Sequence, residues 1–573
     1  MLTAFAIYAL CASIAGGTSP QKPYENPIIR GFSPDPSCIR VGDRFFCVNS
    51  SFNAFPGIPV YTSRDLVQWE QIGNVLAREE QLPELGQEFG FTSGIWANTI
   101  RHHNGTFYVT TTLVWDKLSQ TDPTRWDNLL FKTDDIFASD GNGWSNAVHI
   151  NPSFEGYDMS LFWDDDGKTY IQGSHAYHVQ PGIWQYEIDL DTGTISNEEV
   201  LWTGTGGLAP EGPHIYKKDG FYYLMIAEGG TGLGHMETMA RSNGSIHGPY
   251  VPYVNNPVLT NANTSEYLQT LGHADIFDDI DGHFWAVALA TRNGSVDFPM
   301  GRETVLVPVV WEEGQFPVFD PANPRRAMIH MEGPLPPAKA VNGGVFVGQD
   351  QSIDLTRTTA LPRQLVYLRY PDMSKFVLSK EGLCLYGSSA NLTGPDGISG
   401  TSTFVGRRQE HVEFMAEADL DLDASQWDID QEAGVTVFLQ QLQHFDLGVV
   451  RLDANSTSTN GLSAEPGFYV RLKAQTLLVT NDGMSDPLSS PGMQRLPHSQ
   501  SSLTLRIQAV NETKYEFSYA TRSSGEFKTI GFGDASEVSG GFTGTIIGMY
   551  ATGDGKNSTS PACFTRFDYR KAV

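Results

Sequence analysis

The sequence is poor in cysteine: 573 residues carry five. No pair is spaced Cys-x-x-Cys, so neither a zinc ribbon nor a dithiol redox motif has a basis. Past the N-terminus no run approaches the ~18 apolar residues that a membrane span requires. Basic residues are scarce as well, with 38 Lys and Arg against 66 Asp and Glu and a formal net charge of −28. That balance excludes a nucleic-acid footprint, which needs a basic face. It suits a partner without strong charge and keeps the chain dispersed in water. Sustained helical periodicity is absent, which excludes bundles and coiled coils. Glycine (58 residues) and aromatics (11%) are plentiful, the turn formers and strand fillers of an all-β chain.

One stretch organises the first half. Ala209-Pro-Glu-Gly-Pro-His-Ile-Tyr-Lys-Lys-Asp-Gly-Phe-Tyr-Tyr-Leu-Met-Ile-Ala227 reads as two strands joined at Asp219-Gly220. Asp-Gly between such runs signals a hairpin, because a type I′ turn needs positive φ at both positions. The unit recurs at Gly42-Asp43, Asn104-Gly105, Asp166-Gly167 and Asp281-Gly282. The second turn residues, 43, 105, 167, 220 and 282, are separated by 62, 62, 53 and 62. Antiparallel sheets repeated around a ring give such a period, and five units predict a five-bladed β-propeller. No Trp-Asp signature ends the strands.

Eight or nine residues before each turn stand Asp35, Ala97, Asp158, Glu211 and His273. If each first strand lies innermost and starts at one end, these residues meet on the axis. Carboxylates in a ring, with aromatics nearby, point to sugar chemistry. A glycosidase needs a protonated acid at the leaving oxygen and a carboxylate across the sugar ring. Glu211, held by Pro210 and Pro213, suits the acid, since burial would raise its pKa. Asp35, in Phe32-Ser-Pro-Asp-Pro-Ser37, suits the general base, and Asp158 lies between them in blade order. Trp96 and Phe55 are candidates for the apolar wall, Arg292 for hydroxyl binding, and His273 for anchoring a water or metal. Each also has a plain structural reading: Asp35 and Asp158 as turn formers, Trp96 and His273 as core.

Residues 1–18 read as a secretory signal peptide, with an apolar run ending in small residues. Nine Asn-x-Ser/Thr sites, at Asn49, Asn104, Asn243, Asn263, Asn293, Asn391, Asn455, Asn511 and Asn557, fit a secreted glycoprotein. Cys38 and Cys47 lie symmetrically about the Gly42-Asp43 turn, within disulfide reach. Cys384 with Cys563 would then be the second bridge; the alternative for each pair is buried free thiols. The Pro- and Gly-rich stretch Gly333 to Gly344 reads as a linker. It divides a propeller over 24–333 from short alternating strands over 345–573, which predict a β-sandwich.

The first half resembles glycoside hydrolase family 43. The matching stretches are Asn26–Ser37, Ser51-Phe-Asn-Ala-Phe-Pro-Gly-Ile-Pro-Val60, Ser160-Leu-Phe-Trp-Asp-Asp-Asp-Gly167, Glu211-Gly-Pro-His214 with Ala227-Glu-Gly-Gly-Thr231, Gly272-His-Ala-Asp275, and Gly301-Arg-Glu-Thr-Val-Leu-Val-Pro308. Phe404–Gln409 and Phe542–Thr552 resemble the concanavalin-like sandwich appended to β-xylosidases of that family. Asn98 departs from the proline usual after Trp-Ala, which bears on the shape of the Trp96 wall. The resemblance implies Asp35 as general base, Glu211 as general acid and Asp158 as the residue tuning its pKa. Arg292 would touch the sugar and His273 would hold an axial calcium or water, with no cofactor required for the chemistry. It also implies single-displacement inversion, with the two carboxyl groups ~6.5–9.5 Å apart. The expected activity is exo-release of terminal β-D-xylose or α-L-arabinofuranose from xylan or arabinoxylan oligosaccharides, by a secreted monomer without membrane or nucleic-acid partners. The alternatives are a non-catalytic sugar-binding propeller, an endo-arabinanase and a calcium-dependent structural propeller.

Overall fold

The computed structural model describes residues 20–572 except 88–91, 139–142, 338–343, 395–401, 423–426, 455, 457–464, 478–491, 498–499 and 522–524. The expected signal peptide and the Asn455 site lie outside the described residues. Five antiparallel sheets form the blades of the propeller, and two larger sheets pack as the sandwich. Among the described residues no helix is long and apolar enough to cross a membrane.

The inner strands are Ser37–Val41, Thr99–His103, Gly156–Trp163, Glu211–Lys218 and Gln269–Asp278. Two of the hairpins have the left-handed pair that a two-residue turn needs: Asn104 and Gly105 at φ 50° and 90°, Asp219 and Gly220 at 53° and 79°. In the third and fifth blades the strands stop earlier. Asp166-Gly167 and Asp281-Gly282 sit inside five-residue connections closed by Asp164 and Asp279. The repeated turn motifs therefore sit at different distances from the ends of their strands.

The ring is closed by its own ends. Lys22–Glu25 pairs with His330–Gly333, and Asn26 donates to and accepts from the backbone of Leu306 in the fifth blade, at 3.0 and 2.8 Å. Cys38 and Cys47 face each other across the first hairpin and are disulfide-bonded, as are Cys384 and Cys563 in the sandwich. Asn49 is fully buried and donates to Ser33 O, Pro34 O and Thr304. The folded chain therefore cannot carry a glycan there, unlike at the exposed Asn104, Asn243, Asn263, Asn293, Asn511 and Asn557.

The sandwich sheets enclose one apolar core that includes Phe414, Val437, Phe445, Leu505 and Phe567. The propeller strand Ala54–Phe55 adds to the edge of one sheet through Leu365–Leu368. Elsewhere the two units meet backbone to backbone, where glycines remove the Cβ. A Cβ on Gly31 would lie 2.2 Å from Gln409 O, one on Gly301 2.4 Å from Thr543 O, and one on Gly544 2.3 Å from Met300 O. Gly301 also has φ 68°. Gly301→Ala should lower stability by about 1–3 kcal/mol, from strain and forced separation. Chemical denaturation should show a lower midpoint, and an unchanged midpoint would mean the contact is not tight.

Candidate active site

The mouth of the propeller is shaped by a repeated backbone device. Each of the last three inner strands breaks register near its start: between Tyr157 and Ser160, Glu211 and His214, and Gly272 and Asp275. Within each bulge one residue is left-handed: Asp158 at φ 58°, Gly212 at 58° and His273 at 54°. Asp35, between two prolines, matches them at 50°. A bulge with a left-handed residue bends the strand and re-aims side chains. Asp tolerates this region better than most residues. By this register the counterpart of Asp35, Asp158 and His273 is Gly212, and Glu211 aligns with Tyr157 and Gly272. Counting back from the turns therefore placed Glu211 one position off, because the fourth blade has the shorter turn. Gly212 has a reason of its own, since a Cβ there would lie 3.2 Å from the His273 ring.

A cavity of about 210 Å³ is lined by Asp35, Trp96, Asp158, Glu211, His273 and Arg302, among others. Arg302 grips Asp35 with both Nη atoms, at 2.7 and 3.3 Å, and Ser50 donates to Asp35 Oδ2 at 2.6 Å. Nε and Nη2 of Arg302 also donate to Phe542 O, at 3.2 and 3.1 Å. Gly212 N donates to Asp158 Oδ2 at 3.0 Å, and Tyr157 OH donates to Glu211 Oε2 at 3.1 Å. Two carboxylates thus take different partners, one a guanidinium and the other a neutral phenol.

The electrostatics follow. Burial raises the Glu211 carboxyl to about 7; the Tyr157 hydrogen bond and Arg302 oppose this, and the Asp35 charge adds to it. Asp158 is pushed well above the ordinary carboxylate range by burial, then by Glu211 and Asp35. Burial lowers the His273 imidazole, leaving it neutral near pH 7. The arrangement holds a proton on Glu211 near neutrality.

Trp96 lines the cavity and packs edge-on to Tyr157 and Phe542, with centroids 5.5 and 5.8 Å away. Asn98 Nδ2 donates to Trp96 O at 2.9 Å, so the residue standing in place of proline ties down the same wall. Phe55 is elsewhere: it packs against Tyr370 at 4.7 Å, and Phe52, three residues earlier, lines the cavity. Phe55 sits in the strand joined to the sandwich, opposite Tyr367. Arg292 is likewise absent from the lining. Its guanidinium is bonded to buried Glu303, which also accepts from Gly31 N. Arg302 and Arg125 line the cavity, and the signal for Arg302 stood in the Gly301–Pro308 stretch. Phe542 stood in the second matching stretch of the sandwich, but only the tertiary contact brings it over the propeller.

The residues around His273, expected to hold an axial calcium or water, do not offer the oxygens of a calcium cage. Calcium takes six to eight oxygens. The axis holds a guanidinium instead: Arg101 bonds Asp275 at 2.7 Å and His214 Nδ1 at 2.9 Å. Ser37 and Tyr216 fill the remaining acceptor positions of Asp275, at 2.6 and 2.8 Å. Among the described residues, the trios able to share an ion are Asp279, Asp281 and His283 on a blade turn, and Glu381 beside the Cys384–Cys563 bridge. Neither includes His273.

The loop that leads into Glu211 is anchored by Glu228. This buried carboxylate accepts from Thr205 N, Gly207 N and the hydroxyls of Thr205 and Thr238, at 2.6–3.0 Å.

Comparison with known proteins agrees with this geometry. The family Glycosyl hydrolases family 43 matches residues 24–317, and the Beta xylosidase C-terminal Concanavalin A-like domain matches 357–570. The chain is 35% identical over 563 residues to the Bacteroides ovatus "Non-reducing end alpha-L-arabinofuranosidase BoGH43B", covering 96% of this chain and 95% of the relative. It is 31% identical over 562 residues to a Butyrivibrio fibrisolvens "Xylosidase/arabinosidase", covering 95% and 98%. The solved structure "Bacteroides ovatus Xyloglucan PUL GH43B" superposes with a TM-score of 0.80 at 33% identity, covering 96% of this chain and all of that one.

Tyr157→Phe should raise the pKa of Glu211, because the lost phenol stabilised the charged form. The basic limb of the pH–rate profile should move to higher pH, and a limb that stays or falls would contradict the assignment.

Proposed function

We propose that this chain, which belongs to glycosyl hydrolase family 43, is an exo-acting inverting glycosidase that releases a terminal β-D-xylose or α-L-arabinofuranose from xylan-derived oligosaccharides. In this reading Glu211 is the general acid, Asp35 the general base, and Asp158 the residue that tunes Glu211. Arg302 orients Asp35 and offers donors to the sugar. Water between Asp35 and the anomeric carbon attacks that carbon as the glycosidic bond breaks. Asp35 takes the proton of the water and Glu211 gives its own to the departing oxygen. One displacement from the far face inverts the anomeric centre.

The observation that carries this reading is the contrast between two carboxylates in one cavity. Glu211 is buried with a pKa lifted to about 7, and Asp35 is held by a guanidinium at 2.7 Å. A propeller that merely bound sugar would have no need of a carboxyl that stays protonated near neutrality. The small volume and the sandwich residue Phe542 in the lining favour a blind, end-on pocket over the open cleft of an endo-arabinanase. The names of the relatives include both pentoses, and the same acid and base serve either. Two disulfides and the surface sequons support secretion into an oxidising compartment.

Glu211→Gln should cut turnover of natural oligosaccharides by about 10²–10⁴-fold. An aryl pentoside with a good leaving group should suffer less, since it needs little protonation. Asp35→Asn should impair both substrates alike. Proton NMR of the first product should show the anomer opposite to the substrate. Retention, or equal losses on both substrates in Glu211→Gln, would overturn the roles.

A further inference from the structure

The far mouth of the propeller holds a second cavity, of about 460 Å³, built from the ends of four inner strands. It shares no lining residue with the catalytic pocket. Arg101 and Tyr216, in its floor, belong to the buried layer with Asp275 and His214 that fills the axis between the two. The volume lies inside the ~300–1,000 Å³ range of small-molecule sites and is about twice that of the catalytic pocket.

Its chemistry is specific. Trp163, Phe284 and Trp311 provide aromatic wall, and Trp163 is fixed by a parallel stack on His103 at 4.6 Å. The charges at its rim are already matched. Lys217 bonds Asp164 and Asp165 at 2.6 and 2.8 Å, and Arg40 bonds Asp278 at 2.8 Å. A free anion therefore meets no unpaired cation there. Held donors and acceptors beside aromatic faces suit a ligand with hydroxyls at its edges and apolar faces, which is a neutral sugar.

We infer that this cavity is a second, non-catalytic binding site for a neutral pentosan oligosaccharide. Its identity as pentosan rests on the function proposed above; its existence as a sugar site does not. A chain bound here would hold the enzyme on polymeric substrate and raise the local concentration of chain ends.

The test is calorimetric titration of xylotriose into the Glu211→Gln protein, made without N-glycans because the Asn104 sequon follows His103, which lines the cavity. Two binding events per chain are expected. Adding Trp163→Ala should weaken one by about tenfold or more, and Lys217→Ala, at an exposed position, provides a second variant should the first fail to fold. In otherwise wild-type protein both changes should leave turnover of an aryl pentoside intact while slowing hydrolysis of polymeric xylan. A single event that both variants leave unchanged, or two events unaffected by both, overturns the inference. Failure of the wild-type chain to hydrolyse any pentoside would instead sink the proposed function, whatever the stoichiometry.

Discussion

The ion pair between Arg302 and Asp35 is the constraint on which the site depends. Arg302 enters from the fifth blade, Asp35 from the first, and the same guanidinium reaches Phe542 O in the sandwich. One side chain thus joins the two ends of the ring to the second domain, at the pocket itself. Removing either partner of such a buried pair typically costs about 3–5 kcal/mol, since the other charge is left without a partner. The pair also sorts the carboxylates: Asp35 has a fixed counter-charge, and Glu211, buried and hydrogen-bonded to a phenol, keeps its proton toward neutrality.

The backbone around this pair is strained at matching points. Asp35, Asp158 and His273 all adopt left-handed φ, and Gly212 completes the set. For the three non-glycine residues such conformations cost ~1–3 kcal/mol each and persist where the surroundings over-determine them. Here ladder hydrogen bonds resume after each bulge, and the glycine contacts at Gly31, Gly301 and Gly544 hold the sandwich close enough to deliver Phe542. The glycines are therefore part of the site, though they touch no substrate.

Much of this was legible from residue order. The turn dipeptides repeat because each blade needs the same hairpin, so period alone predicted the ring and brought Asp35, Asp158, Glu211 and His273 to one mouth. What period cannot carry is the local offset. Bulges and unequal turns shift Glu211 by one place, and residue order does not say that a bend brings Phe52 rather than Phe55 to the cavity. Arg292 and Arg302 are both conspicuous in sequence, and only the buried Glu303 beside Arg292 separates them. Phe542 lies more than 500 residues from Asp35, and no local pattern reports a contact across that span. The axis is a similar case: Arg101 comes from another blade to reach Asp275.

The central claim is that Glu211 carries a proton near neutral pH because it is buried in this pocket. Titration of its side-chain carboxyl by carbon NMR, assigned with the Glu211→Gln protein, tests it without reference to any substrate. The account predicts a midpoint near 7. A midpoint at or below the ~4.3 of an ordinary glutamate would contradict it.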